Sequence, residues 1–287
     1  MVLDADTPSS TGTLAFARRF PDRFFNVGIS EQDLVSTAAG LAIAGKTPVA
    51  AAFSMFLMRA WEQIRNTIAR DGLNVKLVGT HSGLSDYMDG TSHQSFEDIA
   101  LTRVLPGFTV LAPSDPVATR DLVARALLEH KGPVYIRLGR DNAPEIYEEG
   151  EEFPIGGAKV LEDAGDIAIF STGAMTGVAV KVAERLREEG YRAGVVDVYS
   201  IKPVDRDTIV RQAVRAGLAV TIEDHSIHGG LGSLVAEVVS ETRPVRVVRI
   251  GIDDSFGASA RSYERLLDYM GLTPEKISSI IERGVLA

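Results

Sequence analysis

Short apolar runs alternate with longer amphipathic stretches along nearly the whole chain, and this pattern restricts the fold more than any other feature. Runs at 24–28, 48–53, 75–79, 108–111 and 134–138 have the length and β-branched or aromatic content of strands. Amphipathic segments at 30–44, 55–70 and 116–130 separate them. The same rhythm returns with strands at 166–171, 193–198, 218–222 and 245–250, and helices at 173–189, 205–216, 232–241, 262–270 and 274–283. Strands separated by helices imply parallel sheets with helices on their faces. A chain of 287 residues holds one large or two ordinary domains of this type. The acidic stretch 141–157, with Pro144, Pro154, Gly156 and Gly157, reads as a linker. The expected fold is therefore α/β with two domains, 1–152 and 153–287, each a mostly parallel sheet flanked by helices. Met1-Val2-Leu3-Asp4 opens inside a strand, so an upstream helix is expected to be missing or supplied by another chain.

Charge and composition exclude several functions. With a net charge of -9 the chain is a poor general binder of nucleic acid or of an anionic membrane surface. It has no apolar run of about 18 residues, so no membrane helix is expected. The absence of cysteine removes disulfides, thiol nucleophiles and thiolate metal sites, and fits a cytoplasmic protein.

In open α/β sheets ligands bind beyond the C-terminal strand ends, and three clusters fall there. In Gly28-Ile29-Ser30-Glu31-Gln32, Ser30 sits at the N-cap, with Asp33 at the capping-box position. Glu31 either complements the helix dipole or presents a carboxyl group to a ligand. The small residues Ala38, Ala39, Gly40, Ala42 and Ala44 downstream permit close helix–helix approach, which puts the site near a subunit interface. In Phe53-Ser54-Met55-Phe56-Leu57-Met58-Arg59, Phe53 and Phe56 share one face. They are either core or a platform for a planar heterocycle, and Arg59 lies one turn on. The third cluster, from His81 through Asp89 to His93-Gln94, is a long polar connection holding two of the five histidines. No compact His-x-x-x-His pair supports a metal there.

These residues carry a family resemblance. Gly-Ile-Ser-Glu-Gln, Phe53-x-x-Phe56, His81-x7-Asp89-Gly-x-x-His93-Gln, Ala112-Pro113-Ser114-Asp115 and Ile136-Arg137-Leu138-Gly139-Arg140 resemble the pyrimidine-binding domain of transketolases. Ser171-Thr172-Gly173, Ile201-Lys202-Pro203-Val204-Asp205 and His228-Gly229-Gly230-Leu231-Gly232 resemble the transketolase C-terminal domain. The closest likeness is to the C-terminal chain of transketolases encoded as two polypeptides.

The resemblance implies thiamine diphosphate as cofactor and transfer of a two-carbon ketol unit between sugar phosphates. It makes Glu31 the partner of N1′ of the aminopyrimidine. It puts Phe56 and Phe53 on the pyrimidine, with Arg59 and Asp6 also on the cofactor side. His93, His81 and Asp89 would contact substrate, with His93 and His81 joining Glu31 in catalysis. Arg140 would bind a substrate phosphate, and Ser10 the substrate. The Gly-Asp-Gly…Asn motif that holds Mg²⁺ and the diphosphate in this family is missing. An N-terminal transketolase subunit is thus expected to supply that grip, within a dimer of heterodimers. Two departures bear on substrate: Asp89-Gly90-Thr91-Ser92-His93 replaces the common Asp-Gly-Pro-Thr-His, and Arg59 stands where single-chain transketolases often have an aromatic residue, as in deoxyxylulose-phosphate synthase. The alternatives are that synthase, a non-catalytic assembly subunit, and the β subunit of a 2-oxoacid dehydrogenase E1 component, whose Ala-x-x-Gln-Ile-x-Asn helix is matched by Ala60 to Asn66.

Overall fold

The first half builds six parallel strands, β1 (Val2–Asp4), β2 (Phe24–Asn26), β3 (Val49–Phe53), β4 (Lys76–Thr80), β5 (Thr109–Leu111) and β6 (Val134–Arg137). A computed structural model describes residues 1–141 and 143–286. Helices α1 (Leu14–Arg19), α2 (Glu31–Ile43), α3 (Ser54–Met58), α4 (Trp61–Gln63), α5 (Asp98–Arg103) and α6 (Pro116–Leu128) connect and flank these strands. The second half contributes β7 (Lys159–Glu162), β8 (Ile167–Ser171), α7 (Met175–Glu188), β9 (Ala193–Asp197), β10 (Ser200–Lys202), α8 (Arg206–Ala216), β11 (Leu218–Ser226), α9 (Leu231–Thr242), β12 (Arg246–Ile252), α10 (Tyr263–Met270) and α11 (Pro274–Leu286). The strand orders are β10-β5-β6-β4-β3-β1-β2 and β12-β11-β8-β9-β7. Each sheet is parallel except for one antiparallel edge strand, β10 in the first and β7 in the second. No helix among the described residues is long and apolar enough to cross a membrane.

Local chemistry explains most element boundaries. Asp115, Asp205 and Ser262 each accept a backbone N–H at the start of α6, α8 and α10. Ser30 occupies the N-cap of α2, but its hydroxyl donates to Val27 O at 3.2 Å and does not cap the helix. The helix expected over 55–70 is broken. Arg59 and Ala60 donate back to Phe56 and Leu57, only three residues earlier, which closes α3. Trp61 restarts the path with its indole N–H on Leu101 O at 2.8 Å, and from Ile64 to Ala69 the helix widens to π geometry.

The two halves are not joined by a loose tether. β10, absent from the sequence reading, comes from the second half and closes the edge of the first sheet by pairing with β5. The acidic stretch read as a linker is strapped down at both sides. Asp115 accepts the Ile146 and Tyr147 N–H groups, Tyr147 donates to Asp197 at 2.7 Å, and Phe153 lies fully buried between Tyr147 and Tyr199.

At the centre of this contact lies Arg137, at the C-terminal end of β6. Its Nε donates to Asp98 at 2.9 Å and its Nη1 to Asp224, on β11 of the second sheet, at 2.7 Å. All three side chains are buried. Burial opposes the arginine's charge, but the two carboxylates more than offset it and hold its pKa well above the normal value. Removing one partner of such a group strands the others without water. Arg137→Met is therefore expected to cost roughly 3–5 kcal/mol, read as a lower urea midpoint at pH 7. A loss under about 1 kcal/mol would show that the clamp does not hold the two sheets together.

Candidate active site

The expected site residues gather along the C-terminal edge of the first sheet. β3 delivers Phe53, and α3 follows at once and carries Phe56. The rings lie 5.1 Å apart and nearly parallel, at 8°. β4 ends at Thr80, and His81 stacks on Phe53 at 3.7 Å. His93, twelve residues later in sequence, meets Phe56 edge-on at 5.2 Å and Phe53 at 6.4 Å. Two segments far apart in sequence thus form one aromatic cluster. Phe53 is buried and already in face contact with His81, so Phe56, half-buried, has the ring area left for a planar ligand.

His81 has a positive φ of 55°, a left-handed conformation uncommon for residues other than glycine, although His, Asn and Asp adopt it more readily than most. Thr80 Oγ1, 3.0 Å from Nδ1, and the Phe53 face hold it there. Burial first, and the Arg140 charge second, push its pKa down to about 4, so the ring is neutral near pH 7. The chain can turn this sharply because Gly83 follows. A side-chain carbon there would come within 2.0 Å of the Asp224 carboxylate.

Glu31 is the first residue of α2 and is buried, and its carboxylate makes no hydrogen bond among the described residues. Of the small residues expected to face a neighbouring helix, Ala38 and Ala39 are instead packed into the domain's own core; Gly40 and Ala44 face outward. Asp6, at φ 68°, pairs with Asn26, which donates to its carboxylate at 2.9 Å. Ser10 is exposed on a turn, with its N–H on Thr7 O. Arg59 is exposed and forms no ion pair among the described residues. Asp89 is exposed, and Arg140 lies between it and Asp86. On its other side Arg140 lines a cavity of about 630 Å³ between the two halves, with Leu138, Val178, Tyr263 and Leu267.

Sequence reasoning passed over four groups. Asp4 organises the β1 loop by accepting from Thr7 N and from the hydroxyls of Thr7, Thr11 and Thr13. Asp86, inside the loop already singled out, is buried and holds Arg140 Nη1 at 2.9 Å. Glu223 and His225 lie on the extension of β11 beyond residue 222. Glu223 accepts the Leu231 and Gly232 N–H groups, so the glycine-rich stretch is a helix entry filled by an internal carboxylate. His225 donates Nδ1–H to Ser226 O at 2.7 Å and accepts Ala100 N–H at 3.4 Å, which makes it structural. A charged residue within the apolar run Val134-Tyr135-Ile136-Arg137 was the one available signal for the clamp, since strands of a covered parallel sheet are buried on both faces.

The chain resembles known proteins in sequence and in fold. Residues 1–145 match the family described as transketolase, pyrimidine binding domain, and residues 156–277 the family described as transketolase, C-terminal domain. The chain is 46% identical over 285 residues to a putative transketolase C-terminal section from Methanocaldococcus jannaschii, covering 98% of this chain and 89% of the relative. It is 38% identical over 278 residues to a 6-deoxy-6-sulfo-D-fructose transketolase subunit from Clostridium sp., covering 96% and 86%. A solved split-gene transketolase, described as an inactive β4 tetramer, superimposes with a TM-score of 0.90 at 46% identity, covering 99% of this chain and 91% of that one.

The depressed His81 value sets an expectation. Its ring should stay neutral from pH 8 down to about 5, with a midpoint near 4 when the Cε1–H resonance is followed by NMR. An unfolded histidine titrates near 6.5, so the unfolded chain takes the proton first and this residue subtracts stability as pH falls from about 6.5 toward 4. A midpoint of about 6 or higher would mean that His81 is solvated and not stacked.

Proposed function

The chain belongs to the transketolase family, and from that membership we propose that it is the pyrimidine-side subunit of a two-chain, thiamine-diphosphate-dependent transferase of two-carbon ketol units between sugar phosphates. The observation that supports this most is the convergence of Phe53, Phe56, His81 and His93 into one cluster on the sheet edge that also bears the buried Glu31. A cofactor with a flat aminopyrimidine fits that donor set: an aromatic face at Phe56, and at Glu31 a carboxylate that no protein group satisfies among the described residues. When bound, thiamine diphosphate supplies an acidic carbon nucleophile and an electron sink for the two-carbon fragment.

The chain's own residues divide the remaining work. Glu31 would hold the ring nitrogen N1′ and the proton shared with it. Phe56, backed by Phe53, would fix the plane of the pyrimidine, with Asp6 and Arg59 nearer the rim. His93, at the edge of the aromatic cluster, would exchange protons with the reacting oxygen of the donor, and the neutral His81 would hydrogen-bond a substrate hydroxyl. Asp89, Ser10 and Arg140 would hold the remainder of the sugar phosphate. In this reading residues 1–152 carry the cofactor face, and 153–287 support it from behind through the Arg137 clamp.

Two features support a partner chain. The Gly-Asp-Gly…Asn motif that holds the diphosphate and its metal in this family is missing from the sequence. The diphosphate and its Mg²⁺ would therefore rest on an N-terminal subunit, and a cytoplasmic assembly of two such pairs belongs to the same proposal. The surface beside Glu31 also leaves Phe25 and Ile29 exposed, with Ile29 82% accessible. Exposed apolar side chains next to the candidate site fit a surface that a partner chain covers.

Glu31→Gln keeps the shape of the side chain and removes the proton. In the reconstituted two-chain enzyme it should lower kcat for ketol transfer by roughly 10²–10⁴-fold and leave assembly intact by sedimentation. Activity equal to that of the unaltered enzyme would remove the thiamine reading.

A further inference from the structure

Arg140 is the anion anchor of the reading above, yet its guanidinium is already engaged. Nη1 lies 2.9 Å from Asp86 Oδ1 and 3.8 Å from Asp89 Oδ2. One cation therefore faces two carboxylates, and the local charge is negative where a substrate anion is expected. Asp86 cannot swing away to relieve this. Its side chain is fully buried, and its carbonyl accepts from Gly90 N and from Gln94 Nε2, both at 3.3 Å. The second carboxylate oxygen, Oδ2, is buried with no hydrogen-bond partner among the described residues. A buried carboxylate oxygen without a donor is unfavourable, and protonation relieves it.

We propose that Asp86 is a specificity-determining residue: with Asp89 it makes Arg140 an anion site that fills only when the carboxylate pair takes up a proton. A dianion placed against the guanidinium meets two like charges, and one added proton brings the pair and the arginine from net negative to neutral. This inference rests on Arg140 being the anion anchor, and it adds the proton that the anchor requires.

The groups facing the pair come from several elements, and Arg120, Lys181 and Glu264 line the cavity that Arg140 also borders. His93 comes from the same loop, His81 from the end of β4, and Asp141 follows Arg140 in the chain. The Tyr87 ring lies 5.6 Å from the guanidinium carbon. From the second half, Ala258 and Ala260 contribute backbone groups to this loop, and Tyr263 stands within electrostatic reach of Asp141. Burial first and the Asp89 carboxylate next raise Asp86 to about 6, against the pull of Arg140 and His93. The sign follows: above that value the pair is ionised and binding must import a proton, so affinity falls as pH rises; below it the proton is already in place and affinity levels out.

Sulfate is a suitable probe because it stays dianionic across the range. Titrated into the full chain, it should bind with affinity falling by up to about tenfold per pH unit above pH 6. Calorimetry at pH 7.5 in buffers of different ionisation enthalpy should show uptake approaching one proton. Asp86→Asn should bind sulfate more than about tenfold tighter at pH 8 and lose most of the pH dependence. Arg140→Met should abolish binding. Sulfate binding retained by Arg140→Met, or no binding by the unaltered chain at pH 5.5, would overturn the anion reading of Arg140 together with this proposal. Binding that depends on Arg140 but is flat with pH and takes up no proton would overturn the role of Asp86 alone. The proton count comes from the unaltered chain, so the test does not depend on a variant folding.

Discussion

The buried cation Arg137 between Asp98 and Asp224 is the constraint on which the rest of the structure depends. A guanidinium can be buried only if its donors are taken, and here the partners come from different parts of the fold: Asp98 from α5 and Asp224 from the second sheet. The network continues in both directions. Tyr135 donates to Asp98 at 2.8 Å and meets Ser54 at 2.9 Å, directly after Phe53. Gly79 must lack a side chain because the Tyr135 and Ser54 hydroxyls pass over it. On the other side, Asp224 closes over Gly83, at the start of the loop that carries His81. The aromatic platform and the histidine loop are therefore positioned by the same charge. Such a network is favourable only when complete, because every member is desolvated.

That connection gives the second domain a direct part in the geometry of the site. Gln94, next to His93, donates to Ala258 O at 3.0 Å, and Ala260 N–H donates to Tyr87 O at 2.7 Å. The loop from His81 to His93 is thus held at its start by Thr80 and Phe53 of the first sheet and by Asp224 of the second, and at its end by the second half again. β10 adds a third bond between the halves by closing the first sheet's edge. A loop of this length without such supports would pay its ordering entropy alone. The cradle lets a polar connection hold two histidines against two phenylalanine rings.

What was legible in the sequence follows from the range of the interactions. The parallel strands, and the helices capped by Asp115, Asp205 and Ser262, are written in local period and cap chemistry, and they appear where that chemistry places them. The motifs for Phe53, Phe56, His81 and His93 were also readable, because each sits at the end of a recognisable strand or within a polar loop next to one. Illegible were the features made by pairing across the fold. β10 is three residues long and is a strand only because β5 lies beside it. Glu223 and His225 look like loop polarity until β11 carries them into the interior, where α9 and α5 satisfy them. Asp86 differs from its polar neighbours only in facing Arg140, 54 positions away.

His81 shows how these constraints converge on chemistry. The Thr80 hydroxyl, 3.0 Å from Nδ1, also lies 3.4 Å from Ala52 O, a weak acceptor for its hydrogen. If the hydroxyl hydrogen points to Ala52, the threonine oxygen must accept from the ring, and Nδ1 carries the proton. A neutral imidazole protonated at Nδ1 has a bare Nε2, which can only accept. The ring, on a left-handed backbone, lies flat on Phe53, so one of its faces is taken. The left-handed backbone costs about 1–3 kcal/mol at this residue, and the close contact of Asp224 over Gly83, two residues on, helps to sustain it. On this geometry His81 is suited to accept a hydrogen bond from a hydroxyl and unsuited to pairing with an anion. Under the proposed reading an anion would be left to Arg140, and the proton that accompanies it to the Asp86 and Asp89 carboxylate pair.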